Sequence, residues 1–375
     1  MNAATAHDLI EMQLGPVTPI LSKALRSMII APPGKKLIGG DFAGIESRVN
    51  AWMAGEEWKL EAFRAYDAGV GPDTYKLAYA NTFNVPIEDI TAAHRRIGKT
   101  MELALGFGGS LGAWLRFDPD PMFVTKVVRE QFYGTEKWLK ATDQYDKSNS
   151  HYGLSADQWI SVKIIVNGWR ESHPRITQSW WDRQDAAIEA VDAPGNIVRI
   201  LDGKIQYLCA EGFLWCRGPS GKLLAYAKPR LVETREEWLV DADGEMYLAD
   251  EFTADELERR IAEGGKLESS QARVQVAFSG KNQKTGAWGT QRLYGGLQTN
   301  NDVQMTAREL LRCAMENVEL FDYPIVLHVH DELICEVDEA FGSAEHFESL
   351  MSILPEWIQG LPLSAKAWES KRYVK

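Results

Sequence analysis

Ile325-Val-Leu-His-Val-His-Asp-Glu-Leu-Ile-Cys-Glu-Val337 is the stretch on which the fold prediction rests. Apolar runs with strand composition, Ile325 to Val329 and Leu333 to Val337, lie on either side of a His-Asp-Glu tip and predict a β-hairpin. A tip that served only as a turn would favour Gly, Asn or Pro, and none of these occurs here. Three ionisable side chains between two buried strands are costly unless something binds them, so the tip is a candidate site.

The alternation of side chains along a strand predicts which residues of the tip share a face. We expect His328, His330 and Glu332 on one face and Asp331 on the other. A solvated hairpin tip is the simpler alternative. It becomes less favoured only if a second carboxylate lies close to Asp331.

Asp41 is the candidate for that second carboxylate. Lys36-Leu-Ile-Gly-Gly40 predicts a short strand that ends at Asp41, and Ile45 to Ala54 predicts the helix that follows. Gly39 and Gly40 would allow a close approach to the backbone just before it. Two aspartates on adjacent strands repel each other unless cations lie between them, and oxygen ligands of this kind suit Mg²⁺. Two such ions, about 4 Å apart, are typical of in-line displacement at phosphorus.

A cationic helix is the second candidate feature. Thr91 to Gly106 predicts a helix in which Arg95, Lys99, Leu103 and Phe107 recur at every fourth position and therefore share one slowly drifting stripe. A solvated basic turn followed by core residues is the alternative, since basic helix faces are common. The glycines that end the helix, and that would let a ligand approach the backbone, are Gly106, Gly108 and Gly109.

Composition limits the class of protein. The chain has 375 residues, is 45% hydrophobic and carries a net charge of −12, so any polyanion site must be a local basic surface on an acidic body. No apolar run approaches the roughly 20 residues of a membrane helix, and the N-terminus lacks the plan of a signal peptide. The four cysteines form no CxxC pair, which indicates neither a zinc knuckle nor a disulfide framework. We expect a cytoplasmic protein without a membrane partner.

The order of the predicted elements indicates one sheet-based domain with a large, mostly helical insertion. Strand patterns begin at about Gly195, whereas Ser279 to Gly289 is polar and contains glycine, which predicts a connection. Asn300 to Leu320 predicts a long amphipathic helix. The amides at its start, including Gln304, are of the kind that can contact base edges.

Three motifs occur in one order: Asp41-Phe-Ala-Gly-Ile-Glu-Ser-Arg48, Arg95-Arg-Ile-Gly-Lys99 through Phe107-Gly108, and His330-Asp-Glu332. Together they resemble the polymerase motifs of family A DNA polymerases, the bacterial DNA polymerase I type. The helix end Glu102 to Gly109 is similar to that of phage members of this family.

The resemblance implies an α+β fold and a DNA-directed DNA polymerase active in replication. The fold would be a right-hand palm, an antiparallel sheet with flanking helices, interrupted by mostly helical fingers. The palm would comprise residues 1–55 and 289–375, and the fingers residues 56–288, with a β-rich part around 195–250. No thumb or exonuclease domain fits in the segment before Asp41. We therefore expect a separately encoded polypeptide to supply them.

Site roles follow from the same resemblance. Asp41 and Asp331, with the Phe42 carbonyl, would hold two Mg²⁺ ions, with Mn²⁺ as a substitute, and Glu332 would support them. Lys99 would act as a catalytic residue by protonating the pyrophosphate leaving group. The residues implied to contact the dNTP are Glu46, Arg95, Lys99, Leu103 and Phe107. Those implied to contact primer–template DNA are Gln304 and His330.

Two alternatives to a stand-alone polymerase remain open. One is a non-catalytic or split-polymerase subunit that needs the thumb and exonuclease partner. The other is a metal-dependent phosphoesterase or nuclease, in which His328, His330 and Asp331 would bind a transition metal. That second alternative leaves the Arg95 and Lys99 stripe unexplained. Leu103 stands where many relatives carry Phe or Tyr.

Overall fold

The computed structural model describes residues 11–13, 16–18, 26, 28–118, 121–148, 151–234, 237–240, 246–249, 253–269, 273–282 and 286–374. The chain divides into two compact units. Unit 1 comprises Met1–Arg48 and Thr306–Lys375, and unit 2 comprises Val49–Met305. Both divisions fall inside helices, so the palm and fingers boundaries predicted at residues 55 and 288 stay a prediction.

Helices and strands alternate in blocks along the chain. The helices are α1 (Ile45–Ala54), α2 (Glu57–Asp67), α3 (Thr74–Phe83), α4 (Ala92–Leu105), α5 (Leu111–Phe117), α6 (Met122–Phe132), α7 (Glu136–Asp146), α8 (Ala156–Ser172), α9 (Pro174–Asp192), α10 (Ala254–Ala262), α11 (Gly295–Leu320) and α12 (Ala344–Met351). The strands are β1 (Lys35–Phe42), β2 (Ile197–Ile200), β3 (Ile205–Ala210), β4 (Phe213–Arg217), β5 (Leu223–Thr234), β6 (Glu237–Val240), β7 (Met246–Leu248), β8 (Lys266–Ser269), β9 (Arg273–Lys281), β10 (Trp288–Leu293), β11 (Ile325–Val329), β12 (Glu332–Asp338) and β13 (Ala365–Ser370). Among the helices of the described residues, none is long and apolar enough to cross a bilayer.

Unit 1 is built on an antiparallel sheet with the strand order β11-β12-β1-β13. Its central pair joins β1, near the start of the chain, to β12, near the end, and unit 2 lies between them in sequence. The predicted α+β architecture, an antiparallel sheet interrupted by a large insertion, is confirmed.

The two glycines before Asp41 are required by packing within unit 1. A Cβ on Gly39 would lie 2.4 Å from the ring of Trp368, its partner on β13. A Cβ on Gly40 would lie 2.8 Å from the Met351 sulfur of α12. The predicted close approach to the backbone occurs here. Protein side chains make it, because the absence of Cβ atoms lets Trp368 and α12 pack closely on either side of the strand.

The hairpin forms as predicted, but its faces differ from the prediction. Val329 pairs with Glu332, which leaves His330 and Asp331 as a two-residue turn. His328 pairs with Leu333 and therefore lies on the opposite face from Glu332. The expectation that His328 and Glu332 share a face was wrong, because it continued the strand alternation through a turn that reverses the chain.

The helical part of unit 2 surrounds an aromatic core. Met101 and Leu105 of α4 pack there with Trp114, Ile165 and Trp169, all of them fully buried. This core holds the inner face of α4 and leaves its other face to solvent.

The β-rich part of unit 2 is larger than predicted and runs from Ile197 to Leu293. It forms a six-stranded sheet, β10-β9-β5-β4-β3-β2, and a three-stranded sheet, β7-β6-β8. The connection predicted over Ser279 to Gly289 is shorter than expected, since β9 continues to Lys281 and β10 starts at Trp288. Gly280 pairs with Gly289 across these strands, where backbone hydrogen bonds make up for weak strand propensity.

Candidate active site

Strand pairing in unit 1 brings the predicted carboxylates together. Asp41 lies directly opposite Glu332 in the β1–β12 ladder, so both side chains are on one face. The Phe42 amide donates to the Asp331 carbonyl at 3.4 Å, which places the turn beside the end of β1. Asp41 and Asp331 are half-buried, whereas Glu332 is buried. We call Asp41, Phe42, Asp331 and Glu332 the acidic turn.

The acidic turn has the chemistry of a site for hard cations. Like charges directly opposite each other in a β-ladder are destabilising, and the carboxylates of Asp41 and Glu332 are also partly removed from water. Lys366 of β13 lies opposite Asp41 from the other side and supplies one positive charge. Half-buried carboxylates beside a backbone carbonyl fit Mg²⁺, which keeps several of its waters.

A transition-metal site is not supported. Across the part of the chain that the structure describes, no group of three or more His, Cys, Asp or Glu side chains could hold a metal ion. This holds for the acidic turn as well, so an Mg²⁺ site there would need oxygen ligands from the backbone and from substrate phosphates beside its carboxylates. His328 and His330 are exposed, and His328 lies on the opposite face of the hairpin from Glu332. The ligand set proposed for the nuclease alternative is therefore not brought together.

Tyr373 was missed in the sequence and supports the acidic turn directly. Its hydroxyl donates to Glu332 Oε2 at 2.5 Å, and the ring is buried. Burial, the hydrogen bond to Glu332 and the nearby negative charges, including Asp41, raise the pKa of Tyr373 to about 12. Tyr373 therefore remains a donor at neutral pH and fixes the orientation of the Glu332 carboxylate.

His330 holds an unusual backbone conformation at the tip of the hairpin. Its φ of 55° lies in the left-handed region, which is uncommon for a residue other than glycine. The side chain is exposed. Two-residue hairpin turns require a positive φ at their first central residue, so the turn itself accounts for this conformation. The contact of His330 with the primer end stays a prediction.

Glu46 lies in the first turn of α1, where its side chain is exposed. Arg48, in the same turn, is buried and donates to the carbonyls of Ala43 at 2.6 Å and Pro362 at 2.8 Å. These bonds tie the start of α1 to the segment before β13. They fix the position from which Glu46 projects.

In unit 2, α4 carries the predicted cationic stripe, which we restrict to Arg95, Lys99 and Leu103. Lys99 is exposed, Leu103 is 45% exposed and the Arg95 side chain is 42% exposed. The stripe was predicted to continue to Phe107, but α4 ends at Leu105. Phe107 therefore lies in the turn beyond the helix. Three glycines within four residues lower helix propensity there.

Asp73 orients Arg95. The Arg95 guanidinium donates to Asp73 Oδ2 at 2.8 Å and lies over the ring of Tyr75. Asp73 Oδ1 also caps α3 by accepting from the amides of Tyr75 and Lys76. The hydrogen bond to Asp73 raises the pKa of Arg95 above its ordinary, already high value. The ion pair joins residues 22 positions apart, and the sequence motifs did not indicate it.

A buried polar cluster anchors the other side of α4. Lys59 Nζ contacts Glu102 Oε2 at 2.5 Å and His173 Nε2 at 3.3 Å, and Trp169 Nε1 donates to Glu102 Oε1 at 3.1 Å. Burial would raise the pKa of Glu102, but the positive charge of Lys59 and the hydrogen bond that Lys59 donates outweigh it and hold that pKa well below its usual range. We call Lys59, Glu102, Trp169 and His173 the buried cluster.

His173 is the neutral member of the buried cluster. Burial and the charge of Lys59 lower the pKa of His173, and Glu102 offsets this only in part. Because Nδ1 lies 2.9 Å from the Trp169 carbonyl, we assign the proton to Nδ1, and Nε2 then accepts from Lys59. The cluster thus holds one buried ion pair with its polar groups joined by hydrogen bonds.

The glycines after α4 serve internal packing. A Cβ on Gly109 would lie 1.8 Å from the Ala104 carbonyl oxygen, and one on Gly296 would lie 2.3 Å from the Phe107 carbonyl oxygen. Gly108 has a φ of 75° and faces Gly296. Gly109 is thus required by packing against the end of α4, and the approach of a ligand to the backbone here stays a prediction.

The remaining predicted residue, Gln304, is exposed on α11 and belongs to unit 2. Its neighbour Asn301 donates to the Tyr226 hydroxyl at 3.0 Å and so packs towards the sheet. Unit 1 thus carries Asp41, Phe42, Glu46, His330, Asp331 and Glu332. Unit 2 carries Arg95, Lys99, Leu103, Phe107 and Gln304.

Comparison with known proteins finds DNA polymerases. The DNA polymerase of Bacillus phage SP02 is 30% identical over 371 residues, which are 98% of this chain and 46% of the phage protein. This chain is a relative of the DNA polymerases. The bacterial DNA polymerase I of Pseudomonas aeruginosa is 33% identical over 95 residues, 25% of this chain and 10% of that protein. The resemblance to polymerases of the DNA polymerase I type is therefore confirmed.

This polymerase relative spans about half the length of the phage protein that it matches. Among solved structures, the POL domain of Pol1 from M. smegmatis, in complex with DNA primer-template and dNTP, covers 93% of this chain. Its TM-score is 0.44 at 15% identity, and the match covers 42% of that chain. No model of a protein family matches the chain.

Proposed function

We propose that the chain is the palm and fingers part of a template-directed DNA polymerase, which adds dNTPs to a primer 3′ end in DNA replication. One observation carries the proposal. Asp41 lies opposite Glu332 with Asp331 beside it, and 98% of the chain that carries them matches a phage DNA polymerase.

The acidic turn would hold the metal ions. Asp41 and Asp331, with the Phe42 carbonyl, would bind two Mg²⁺ ions, and the Tyr373 hydroxyl would hold Glu332 in place to support them. Bound Mg²⁺ would stabilise the charge that develops on the transferred phosphoryl group. Mn²⁺ would substitute for Mg²⁺ at the same oxygen ligands.

The cationic stripe would handle the triphosphate. The primer 3′-hydroxyl would lose its proton to solvent water, its oxygen would form a bond to the α-phosphorus, and the bond from that phosphorus to the leaving pyrophosphate would break. Lys99 would donate a proton to the pyrophosphate oxygen, and Arg95, oriented by Asp73, would bind the phosphates. Leu103 and Phe107 would contact the sugar and the nascent base pair.

The other predicted residues would select and position the substrates. Glu46, held in place through the Arg48 hydrogen bonds, would lie beneath the sugar and exclude a 2′-hydroxyl. His330 would contact the primer end, and Gln304 the minor groove. The expected partner that carries a thumb and an exonuclease, and a cytoplasmic location, stay predictions.

Primer extension at low salt, with each dNTP and each rNTP, tests the proposal. We expect Asp41→Ala and Asp331→Ala each to lower extension by at least about a thousandfold, since the metal ions stabilise the transition state by several kcal/mol. Primer–template binding should persist. Asp338→Ala is a matched control, because Asp338 ends the same strand, β12, and pairs with Lys35 at the surface. Extension within about tenfold of wild type in either variant would contradict the two-metal assignment.

A further inference from the structure

A groove of about 680 Å³ in unit 2 lies outside the residues used so far. It is lined by strands β5, β9 and β10 of the six-stranded sheet, by the end of α5 and by the first turns of α11. Of its described lining residues, only Asn301, in the first turns of α11, belongs to a segment that the sequence analysis considered as a ligand contact.

Cationic and aromatic side chains make up half of the residues that line the groove. Arg116, Lys281 and Arg292 are exposed there, and they come from α5, β9 and β10. No Asp or Glu is among the described residues that line it. In a chain with a net charge of −12, an acid-free surface with three cations is the kind of local basic site that a polyanion requires.

The aromatic side chains give the groove a fixed floor and an open edge. Tyr226 is buried, its hydroxyl accepts from Asn301 at 3.0 Å, and Phe278 packs edge-on against its ring at 5.1 Å. Tyr294 is 51% exposed, which leaves much of its side chain open to a ligand. Rings beside exposed cations form a stacking platform for unpaired bases, whereas the bases of a duplex are already stacked.

We propose that this groove binds single-stranded DNA, with Arg116, Lys281 and Arg292 on the phosphates and Tyr294 stacked on a base. Its assignment to the unpaired template strand rests on the proposed polymerase function. The binding itself does not, because it needs neither metal ion nor dNTP.

Fluorescence anisotropy with labelled oligo(dT), over a range of salt concentrations and without metal or dNTP, tests the electrostatic part. We expect Arg292→Ala to weaken binding and to reduce the slope of log K against log salt by about 0.7, the value for one phosphate contact on a single strand. Arg199→Ala is the matched control. Arg199 is also exposed on an edge strand of the same sheet, but it lies on β2, at the opposite edge from β10.

Substitutions at Tyr294 test the stacking part. We expect Tyr294→Ala to weaken binding about tenfold with an unchanged salt slope, since stacking releases no counterions. Tyr294→Phe keeps the ring and should bind as wild type does. Thermal melting of each variant separates a binding defect from loss of the fold.

The outcomes are distinct from those of primer extension. Salt-dependent binding that Arg292→Ala weakens and Arg199→Ala does not would support the groove, even if the chain extends no primer. Equal losses in the two arginine variants, wild-type binding by Tyr294→Ala, or equal affinity for blunt duplex DNA would overturn it.

Discussion

The acidic turn of unit 1 and the cationic stripe of unit 2 are held in place in different ways. Backbone pairing fixes the acidic turn, because the β1–β12 register sets Asp41 opposite Glu332. Side chains fix the cationic stripe. The buried cluster holds the inner face of α4, and Asp73 holds Arg95 on its outer face.

This difference predicts how substitutions affect each site. A register is maintained by many backbone hydrogen bonds, so single substitutions in the acidic turn should change chemistry more than folding. The buried cluster contains an ion pair in a dry environment. Loss of one charge there leaves the other uncompensated. It should destabilise the packing that holds the inner face of α4.

The largest expected effect on stability is therefore that of Lys59→Met. It leaves Glu102 buried without its cation and should lower the free energy of unfolding by about 3–5 kcal/mol, measured by urea denaturation. Glu102→Gln in the Lys59→Met background should recover much of this loss, because it removes the charge and keeps an acceptor for Trp169.

The exposed pair of Lys147 and Asp143 supplies the control. Its atoms are 2.8 Å apart at the surface, and Lys147→Met should leave the urea midpoint unchanged. If Lys59→Met is no more harmful than Lys147→Met, the buried cluster does not support α4.

The sequence predicted local patterns better than contacts between distant segments. The period of four residues in α4 and the apolar runs of the hairpin were visible in a short window, and both elements form. The ion pair of Lys59 and Glu102 and the bond from Tyr373 to Glu332 join residues far apart in sequence, and no pattern indicates them. The pairing of Asp41 with the hairpin was reached only through the requirement that clustered carboxylates share cations.

Lys99→Ala should act on chemistry and not on folding. Lys99 is exposed on the outer face of α4, so the urea midpoint should not change. Loss of a general acid should lower kcat/KM for dNTP by about a hundredfold or more, measured by single-nucleotide extension. Lys126→Ala, an exposed lysine of α6, is the control. Unchanged kinetics for Lys99→Ala would remove Lys99 from the site.

Tyr373→Phe tests whether the Tyr373 hydroxyl orients Glu332 in the acidic turn. It removes the donor to Glu332 and leaves the ring in place, which should cost about 1.5–3 kcal/mol of stability as for other hydrogen bonds to charged groups. We also expect a higher Mg²⁺ concentration at half-maximal extension, because Glu332 is no longer oriented. A change in stability without a change in Mg²⁺ dependence would limit Tyr373 to a structural role.

The smallest expected effect is a pH dependence that belongs to the buried cluster. Burial and Lys59 lower the pKa of His173 in the folded chain, whereas in the unfolded chain it is about 6.5. At a pH between the folded and the unfolded pKa of His173, the unfolded state binds one more proton than the folded state. The free energy of unfolding therefore falls as pH drops below about 6.5, by at most about 1.4 kcal/mol per pH unit. Glu102, whose folded pKa is also lowered, adds its own loss only below about 4.3. His173→Gln should lower the free energy of unfolding at about pH 7.5. It should also make that free energy less dependent on pH between about 6.5, the unfolded pKa of histidine, and about 5. Urea midpoints across that range measure it, and a slope equal to that of the wild type would show that His173 is not the titrating group.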